Sequence, residues 1–328
     1  MIVWNCLINE QGKLVSTPSS ATEITASRAV ALGYFDGVHL GHQKIFRTMQ
    51  DVASEMNLRT AVQTFDNPPA SKSQNNLITT YPERCGIVAS LGVDDLFALP
   101  FNERVRSMSP MDFLEICVKD WMKAKAVIVG RDYRFGKGRE GDVTMLRKWG
   151  DKNGITVVAV EPELFEGRRV SSTWVRELIA SGDVEMAETL LCHPVGCCGI
   201  VEKGQQLGRK LGFPTANIRI PKQKMVPRFG VYASAYLYDG KLYKGLTNIG
   251  MRPTVNKNDD VPLTETMLFN EHIQLYGTKG TVLLLKFIRP ERQFGSVDEL
   301  KEQMQKDQDI VWRYHTERQK PIRFEGYL

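Results

Sequence analysis

The chain has 328 residues, enough for two domains with sizeable cores. One quarter of the residues are charged and 42% are hydrophobic, an ordinary balance for a globular protein. The formal net charge of +5 is scattered rather than gathered in a basic tail, so it gives little support for nucleic-acid binding.

The chain also lacks the patterns that direct proteins to membranes or out of the cell. No apolar run approaches the roughly 20 residues that a membrane span needs, and the N-terminus has no basic region followed by an apolar core. None of the six cysteines forms a C-x-x-C pair. A metal site at Cys197, Cys198 and His193 is an alternative, but reduced, packed thiols in a cytoplasmic protein are favoured.

The first half alternates between apolar strand patterns and amphipathic helix patterns. Residues 28–35 predict a buried strand, and 41–57 predict a helix with Ile45, Met49 and Val52 on one face. Further strands are predicted at 60–65, 95–99, 126–129 and 156–160, and helices at 82–91, 110–122 and 142–152. This order predicts a Rossmann-like α/β domain, a parallel sheet with helices on both faces, whose ligands collect at the carboxyl ends of the strands.

The second half changes to short β-rich segments separated by turns such as Asp239-Gly240. Strands are predicted at 196–201, 231–237, 242–249, 264–269 and 282–287. Together they predict a C-terminal antiparallel β-barrel. A terminal helix is predicted at 297–318, because Ser296 to Glu299 resembles a capping box.

The domain boundary is expected near 185–195, where a helical pattern gives way to His193-Pro194. The resulting domains are 1–190 and 191–328. The polar stretch 71–76 predicts a mobile surface loop. The aromatic residues of the stretch 310–328 are expected to pack on the barrel as a helix and tail.

The motif G-Y-F-D-G-V-H-L-G-H at 33–42 follows the first predicted strand. A strand, a glycine-rich turn and a helix N-terminus present free backbone N–H groups to an anion. His39 and His42 can both face one phosphate and stabilise its charge during transfer. Surface or capping histidines are the alternative, but the length of the motif favours a functional site.

Two further segments of the first half support a nucleotide site. V-G-R-D-Y-R-F-G-K-G at 129–138 follows another predicted strand and supplies an acid and two arginines. V-S-S-T-W-V-R at 170–176 places three hydroxyl groups at a predicted helix start. Simple N-capping explains those hydroxyls equally well, since capping and phosphate binding use the same geometry.

A second phosphate motif, G-R-K-L-G-F-P-T-A-N at 208–217, lies in the other half. Glycines let the backbone approach phosphates, and Arg209 and Lys210 add positive charge. Thr215 and Asn217 are hard oxygen donors on one side of an extended chain, which suits Mg²⁺. A Gly/Pro-rich loop without a ligand is the alternative.

Together these motifs resemble the bacterial family of bifunctional riboflavin kinase/FMN adenylyltransferases, also called FAD synthetases. The resemblance continues through G-V-Y at 230–232, N-I-G-M-R-P-T at 248–254, L-Y-G at 275–277 and F-G-S-V-D-E-L at 294–300. Gln303 and Asp307 match as well, so the similarity covers nearly the whole chain. The implied small-molecule partners are riboflavin, FMN, FAD and ATP, with neither nucleic acid nor membrane.

The resemblance implies one reaction in each half. In the C-terminal half, Glu265 would deprotonate the riboflavin 5′-hydroxyl, which attacks the γ-phosphate of ATP, with Mg²⁺ on Thr215 and Asn217. In the N-terminal half, the FMN phosphate would attack the α-phosphate of a second ATP, with His39 and His42 stabilising the transition state. Neither reaction needs a covalent enzyme intermediate, because positioning and charge neutralisation are enough.

The resemblance also implies which residues contact the substrates. In the N-terminal half the nucleotide is expected to contact Gly33, Phe35, Asp36, Gly41, Asp132, Phe135, Gly136, Arg169, Ser171, Ser172, Thr173 and Arg176. In the C-terminal half it is expected to contact Gly204, Gly208, Arg209, Gly212 and Pro214. The flavin is expected to contact Asn248, Arg252 and Arg289.

Two departures from the family pattern leave alternatives open. The family usually has F-D/E-P-H-P after its second strand, whereas Pro68 stands at the histidine position here. Met267 stands where a histidine is common. The alternatives are a riboflavin kinase with a degenerate N-terminal domain, a non-catalytic flavin-binding regulator, and an adenylyltransferase for another cofactor.

Overall fold

The computed structural model describes residues 1–8, 14–17, 25–67, 76–202, 215–251, 261–269 and 273–328. The chain divides into two compact units. The first consists of Met1–Gln74 and Arg84–Ser171, and the second of Asn75–Glu83 and Ser172–Leu328. A short segment of the first half of the sequence therefore belongs to the unit that holds the barrel. The predicted loop at 71–76 lies almost entirely outside the described residues.

The first unit is built on one twisted sheet. Its described strands are β1 Ile2–Ile8, β2 Leu14–Thr17, β3 Arg28–Leu32, β4 Arg59–Phe65, β5 Asp95–Leu99, β6 Ala124–Gly130 and β7 Thr156–Val160. They lie in the order β2-β1-β5-β4-β3-β6-β7, and only β2 runs antiparallel to its neighbour. The predicted parallel sheet is confirmed.

The strand order reverses beside β3. From β3 the chain proceeds through β4 to β5 on one side, and β6 and β7 occupy the other side. Open α/β sheets bind ligands at such a reversal, outside the carboxyl ends of the strands. The ends of β3 and β6 are neighbours there, which brings the loop after each strand to one edge of the sheet.

Helices cover this sheet. They are α1 Leu40–Glu55, α2 Tyr81–Ser90, α3 Glu103–Arg106, α4 Pro110–Asp112, which continues as a π-helical segment Phe113–Trp121, and α5 Val143–Asn153. A short hairpin of β8 Leu164–Phe165 and β9 Arg168–Arg169 follows β7. On the predicted apolar face of α1, Ile45 and Met49 are buried and Val52 is half-buried.

The second unit contains a closed antiparallel barrel, as predicted. Its strands are β10 Val195–Glu202, β11 Thr215–Arg219, β12 Gly230–Tyr238, β13 Lys241–Met251, β14 Pro262–Leu268 and β15 Lys279–Arg289. They close in the order β10-β11-β14-β13-β12-β15. Its helices are α6 Ser172–Ser181, α7 Val184–Leu191 and α8 Val297–Glu317.

Local signals in the sequence account for the turn and helix start of this unit. Asp239 and Gly240 have φ values of 49° and 72°, the left-handed pair that a two-residue hairpin between β12 and β13 needs. Ser296 caps α8, since its Oγ accepts a hydrogen bond from the Glu299 amide at 3.1 Å. The Glu299 carboxylate accepts from the Gly295 amide rather than from the capping residue itself.

The C-terminal tail packs on the barrel, as expected. Tyr314, Ile322, Phe324 and Tyr327 surround a buried cluster on β12 and β15. The Tyr327 hydroxyl donates to the Pro194 carbonyl at 2.9 Å and accepts from the Gly196 amide at 3.2 Å. The tail is thus fixed at the start of β10.

Candidate functional sites at the sheet edge and on the barrel

The two histidines of the first motif lie together at the N-terminus of α1. His39 is the N-cap residue, and its Nδ1 accepts a hydrogen bond from the His42 amide at 3.4 Å. The two imidazole rings are stacked, with centroids 3.6 Å apart and planes 17° from parallel. The geometry brings both rings together at the start of α1, and their contact with a phosphate stays a prediction.

The turn that carries them has an unusual backbone. Phe35 and Val38 have φ values of 56° and 46°, although neither is glycine. The Phe35 ring packs edge-on against His42, with centroids 5.2 Å apart. A Cβ at Gly33 would lie 2.6 Å from that ring, and a Cβ at Gly41 would lie 3.2 Å from the His39 ring. Glycine at 33 and 41 thus leaves space for the two aromatic side chains that shape the turn.

Asp132 and Arg169 pair beside the same edge. Asp132 follows β6, and its Oδ2 accepts a hydrogen bond from Arg169 Nη2 at 2.6 Å. Partial burial raises the pKa of Asp132, but the hydrogen bond and charge of Arg169 outweigh this and hold the pKa below its usual value. Both side chains remain more than half exposed, so the pair can be reached by a ligand.

Other predicted nucleotide residues of this half have structural contacts. Asp36 is fully buried, and Phe135 is buried with its ring 5.6 Å from that of Tyr133. Gly136 has φ 72°, and a Cβ there would lie 2.7 Å from the Pro110 backbone. These residues shape the loops that follow β3 and β6.

The three hydroxyl residues of the V-S-S-T-W-V-R segment lie at the position in the sequence where the first unit ends and the second resumes. Ser171 ends the first unit, whereas Ser172 and Thr173 open α6 in the second. Arg176 also lies on α6 and donates from Nε to the Asn76 carbonyl at 2.8 Å. Its assignment as a nucleotide ligand stays a prediction.

Arg84 is a buried cation at the sheet edge, and none of the sequence motifs includes it. Its side chain is 1% exposed, its guanidinium lies 4.6 Å from the centre of the Tyr34 ring, and it donates to the Phe65 carbonyl. Tyr34 follows β3 and Phe65 ends β4, so Arg84 connects the two loops. A lone arginine within a helical pattern carries no sequence signal for such a role.

On the barrel, the predicted base Glu265 and the predicted metal ligand Asn217 lie in one row across the strands, and Thr215 stands two residues before Asn217 on β11. Asn217 on β11 pairs with Glu265 on β14, and Glu265 pairs with Asn248 on β13. The row continues through Val231 to Arg289. Directly paired residues project to the same face of a sheet. The barrel therefore brings together side chains that are up to 72 residues apart in the numbering.

The oxygen donors on β11 fit a divalent cation. Thr215 and Asn217 are two residues apart and share a face of the strand. The Asn217 side chain is 6% exposed, and its Oδ1 has no hydrogen-bond partner among the described residues. A buried amide oxygen without a partner costs about 1–3 kcal/mol. Coordination of Mg²⁺, which prefers such neutral and anionic oxygens, would satisfy it.

The predicted flavin residues are held by acidic side chains. Asn248 donates from Nδ2 to Glu291 Oε1 at 3.0 Å. Arg289 donates twice to the buried Asp307 of α8, with Nη2 2.7 Å from Oδ2, and Gln303 donates to the same carboxylate at 2.8 Å. The match of Gln303 and Asp307 to the family is thus explained by their contact with Arg289.

Some assignments lie outside the described residues. They are Pro68, Gly204, Gly208, Arg209, Gly212, Pro214 and Arg252. The alternative of a metal site at Cys197, Cys198 and His193 gains no support, since the described ranges contain no group of three or more His, Cys, Asp or Glu arranged to hold a metal. Burial raises the pKa of Cys197 to about 12, so this thiol stays protonated at neutral pH.

Comparison with known proteins identifies both halves. The family model described as FAD synthetase matches residues 21–174, and the riboflavin kinase model matches residues 191–315. A bifunctional riboflavin kinase/FMN adenylyltransferase of Bacillus subtilis is 36% identical over 89% of this chain and 94% of its own length. The Escherichia coli protein of the same name is also 36% identical, over 85% of this chain and 90% of its own length.

A solved structure has the same architecture throughout. It is named a macrolide-efflux protein of Streptococcus pneumoniae, is 28% identical, and superposes with a TM-score of 0.81 over 95% of this chain and 99% of its own. In the part of the present chain that is described, no helix has the length and apolar character needed to cross a bilayer.

The two family models follow each other in the order of the two compact folds, sheet first and barrel second. The chain is a transferase that makes FMN from riboflavin and ATP, and FAD from FMN and ATP. It belongs to the family of bifunctional riboflavin kinase/FMN adenylyltransferases.

Proposed function

We propose that riboflavin phosphorylation takes place along the barrel row Asn217–Glu265–Asn248, with Glu265 as the general base. The observation that carries this proposal is the strand register, which places the exposed Glu265 carboxylate between two amide side chains. Glu265 accepts the proton of the riboflavin 5′-hydroxyl as that oxygen attacks the γ-phosphate of ATP. A positioned base of this kind contributes about 10²–10⁴-fold to the rate.

The flavin lies toward the other end of the same row. Asn248 keeps its carbonyl oxygen as an acceptor because Nδ2 donates to Glu291. Arg289 is oriented by Asp307 and Gln303, which fixes a planar cation beside the row. These contacts restrict the rotation of both side chains before a ligand arrives, so less entropy is lost when the flavin binds.

Thr215 and Asn217 would hold the Mg²⁺ that accompanies ATP in this reaction. When bound, the ion neutralises negative charge on the phosphates. Strand β11 contributes rigidity, since it pairs with β14 on one side and with β10 on the other. The two oxygen donors therefore keep a fixed separation from Glu265 on the neighbouring strand.

Removal of either metal ligand is expected to raise the Mg²⁺ requirement. In Thr215→Ala and Asn217→Ala, FMN formation should need several-fold more Mg²⁺ for its half-maximal rate, because Mg²⁺ tolerates incomplete octahedral coordination poorly. The measurement is a Mg²⁺ titration of riboflavin phosphorylation at saturating ATP. Thr144→Ala, an exposed threonine of the other unit, is the matched control. An unchanged Mg²⁺ dependence in both variants would remove these residues from the metal site.

We infer that FMN adenylylation takes place where β3 meets α1. The FMN phosphate attacks the α-phosphate of ATP, and pyrophosphate leaves. His39 and His42 donate to the phosphate oxygens, and the α1 N-terminus adds its positive dipole end. Asp132 orients Arg169, whose guanidinium neutralises further negative charge beside the nucleotide.

Pro68 is expected to slow this reaction rather than abolish it. Proline supplies no side-chain donor, but His39, His42, Arg169 and the buried Arg84 keep N–H donors at this edge. The loss of one donor costs about 2.7–4 kcal/mol in comparable sites. By sequence position, Lys72 and Arg134 are candidates for a replacement cation. Lys72 lies outside the described residues, and Arg134 Nη1 lies 3.7 Å from Asp142 Oδ2 and is therefore already paired.

The measurement is the rate of FAD formation from added FMN in the wild type and in Pro68→His. The Asn67 side chain bonds both backbone groups of Phe101, at 2.6 and 3.2 Å. Asn67→Pro would break these contacts. The single change Pro68→His therefore tests the imidazole alone, whereas the double change Asn67→Pro/Pro68→His restores the family segment F-D-P-H-P. A faster Pro68→His enzyme supports the account. A wild type that forms no FAD at any Mg²⁺ concentration contradicts it.

A further inference from the structure

A short segment before Arg84 is built into the second unit. Leu77 and Ile78 are each 3% exposed. The Leu77 amide donates to the Gln223 carbonyl at 2.9 Å, and the Met225 amide donates to the Leu77 carbonyl at 2.8 Å. This backbone ladder joins the segment to the turn after β11, so part of this unit comes from a distant part of the sequence.

A buried ion pair between Lys224 and Glu83 also joins this segment to the turn after β11. Lys224 Nζ lies 2.6 Å from Glu83 Oε2, and each side chain is 2% exposed. Lys224 Nζ also donates to the Ile78 carbonyl at 2.8 Å. Glu83 Oε1 accepts from the Cys198 amide at 3.1 Å, and Oε2 accepts from the Thr80 amide at 2.8 Å. The pair is thus hydrogen-bonded on both sides, as a buried pair must be to persist.

The contacts of Glu83 and Lys224 involve two elements next to β11, which carries the proposed metal ligands: the neighbouring strand β10 and the turn that follows β11. Cys198 is on β10, which pairs with β11 through Glu202 and Asn217. Lys224 is in the turn directly after β11, where the Lys224 amide donates to the Pro221 carbonyl at 2.8 Å. Glu83 therefore connects the neighbouring strand of β11 with the turn that follows it.

We propose that Glu83 is a positioning residue for riboflavin phosphorylation, acting through Lys224 and β10 on the strand that carries Thr215 and Asn217. The inference rests on the proposed role of those two residues. It assigns a function in the kinase reaction to a residue that lies within the FAD synthetase match at 21–174. A kinase domain cut from the sequence at residue 191 would lack the Glu83 carboxylate and the Ile78 carbonyl that bind the Lys224 ammonium group.

If Glu83 and Lys224 act as an ion pair, the effects of substituting them singly and together should be strongly non-additive. Glu83→Gln leaves a buried cation, and Lys224→Met leaves a buried carboxylate, so each single change is costly. The double variant Glu83→Gln/Lys224→Met contains neither charge, and the introduced glutamine keeps one acceptor, for Cys198, so its remaining cost is the acceptor lost by the Thr80 amide and the donor lost by the Ile78 carbonyl. Two changes that act through one contact should therefore cost less together than the sum of the single changes.

The test uses full-length protein and two readouts, thermal unfolding and the Mg²⁺ titration of FMN formation. We expect each single variant to lower the unfolding midpoint by roughly 6–20 °C and to raise the half-maximal Mg²⁺ concentration several-fold. The double variant should recover most of both losses. Lys222→Met, an exposed lysine of the same turn, should match the wild type in both readouts.

Additive effects in the double variant would overturn the ion-pair role, and a wild-type Mg²⁺ dependence in Glu83→Gln would overturn the positioning role. If a single variant does not fold, folding of the double variant supports the proposal, and failure of the double variant counts against it. Thr215→Ala and Asn217→Ala test the metal site separately, since they change the Mg²⁺ requirement without touching the ion pair.

Discussion

Glu265→Gln is expected to abolish FMN formation while FAD formation from added FMN continues at nearly the wild-type rate. Glutamine has the shape of glutamate but cannot accept the hydroxyl proton, so the loss should be about 10²–10⁴-fold in kcat. Because the change is confined to an exposed side chain of β14, ATP binding and folding should be preserved. Separate assays with riboflavin and with FMN as substrate measure the two reactions.

The matched control is Glu302→Gln, which makes the same chemical change on an exposed position of α8. Both activities of the control should equal those of the wild type. Full riboflavin phosphorylation by Glu265→Gln would show that another group takes the proton. Equal loss of both reactions in a folded Glu265→Gln variant would contradict the separation of the two sites.

The converse result is expected for the double variant His39→Ala/His42→Ala. FAD formation should collapse, whereas riboflavin phosphorylation should persist. Loss of one positioned donor to a transition-state oxygen typically costs about 10²–10³-fold in kcat, and here two stacked imidazoles are lost together. The measurement is FAD formation from added FMN under single-turnover conditions, which separates chemistry from product release.

His39→Asn provides a structural control for this prediction. The His39 ring caps α1 by accepting from the His42 amide, and asparagine preserves a capping acceptor while it removes the imidazole. A helix-capping role alone predicts that His39→Asn keeps its activity. A role in phosphate chemistry predicts that His39→Asn is impaired although α1 remains stable, and normal FAD formation in that variant would exclude His39 from the reaction.

Much of the fold followed from local patterns in the sequence. The strand at 156–160 and the helix start at 297 were predicted at their observed positions, because a compact apolar run and a serine cap are local signals. Strand β11 was predicted only as an extended metal-binding segment and not as a strand of the barrel, since it directly follows a Gly/Pro-rich stretch. The edge strand β2 and its neighbour β1 were missed because their pattern is mixed and a polar stretch interrupts it.

The motifs located the candidate sites, but not the contacts that support them. Glu265 was assigned through the family resemblance, whereas His39 and Asn217 stand in long motifs whose spacing carries chemical information. Arg84 and Glu83 do not, because a buried charge is recognised only by its partners, and those are brought together by the fold. The pairing of Lys224 with Glu83 spans 141 positions of the chain, a separation that no local pattern encodes.

The most direct test of the two-reaction account is product analysis by chromatography after incubating the wild type with riboflavin, ATP and Mg²⁺. The account predicts that FMN appears first and that FAD accumulates at its expense as pyrophosphate is released. FMN as the sole product, even with excess ATP and added FMN, would mean that the first unit has lost its chemistry. Absence of both products would contradict the assignment of Glu265 and of the barrel row.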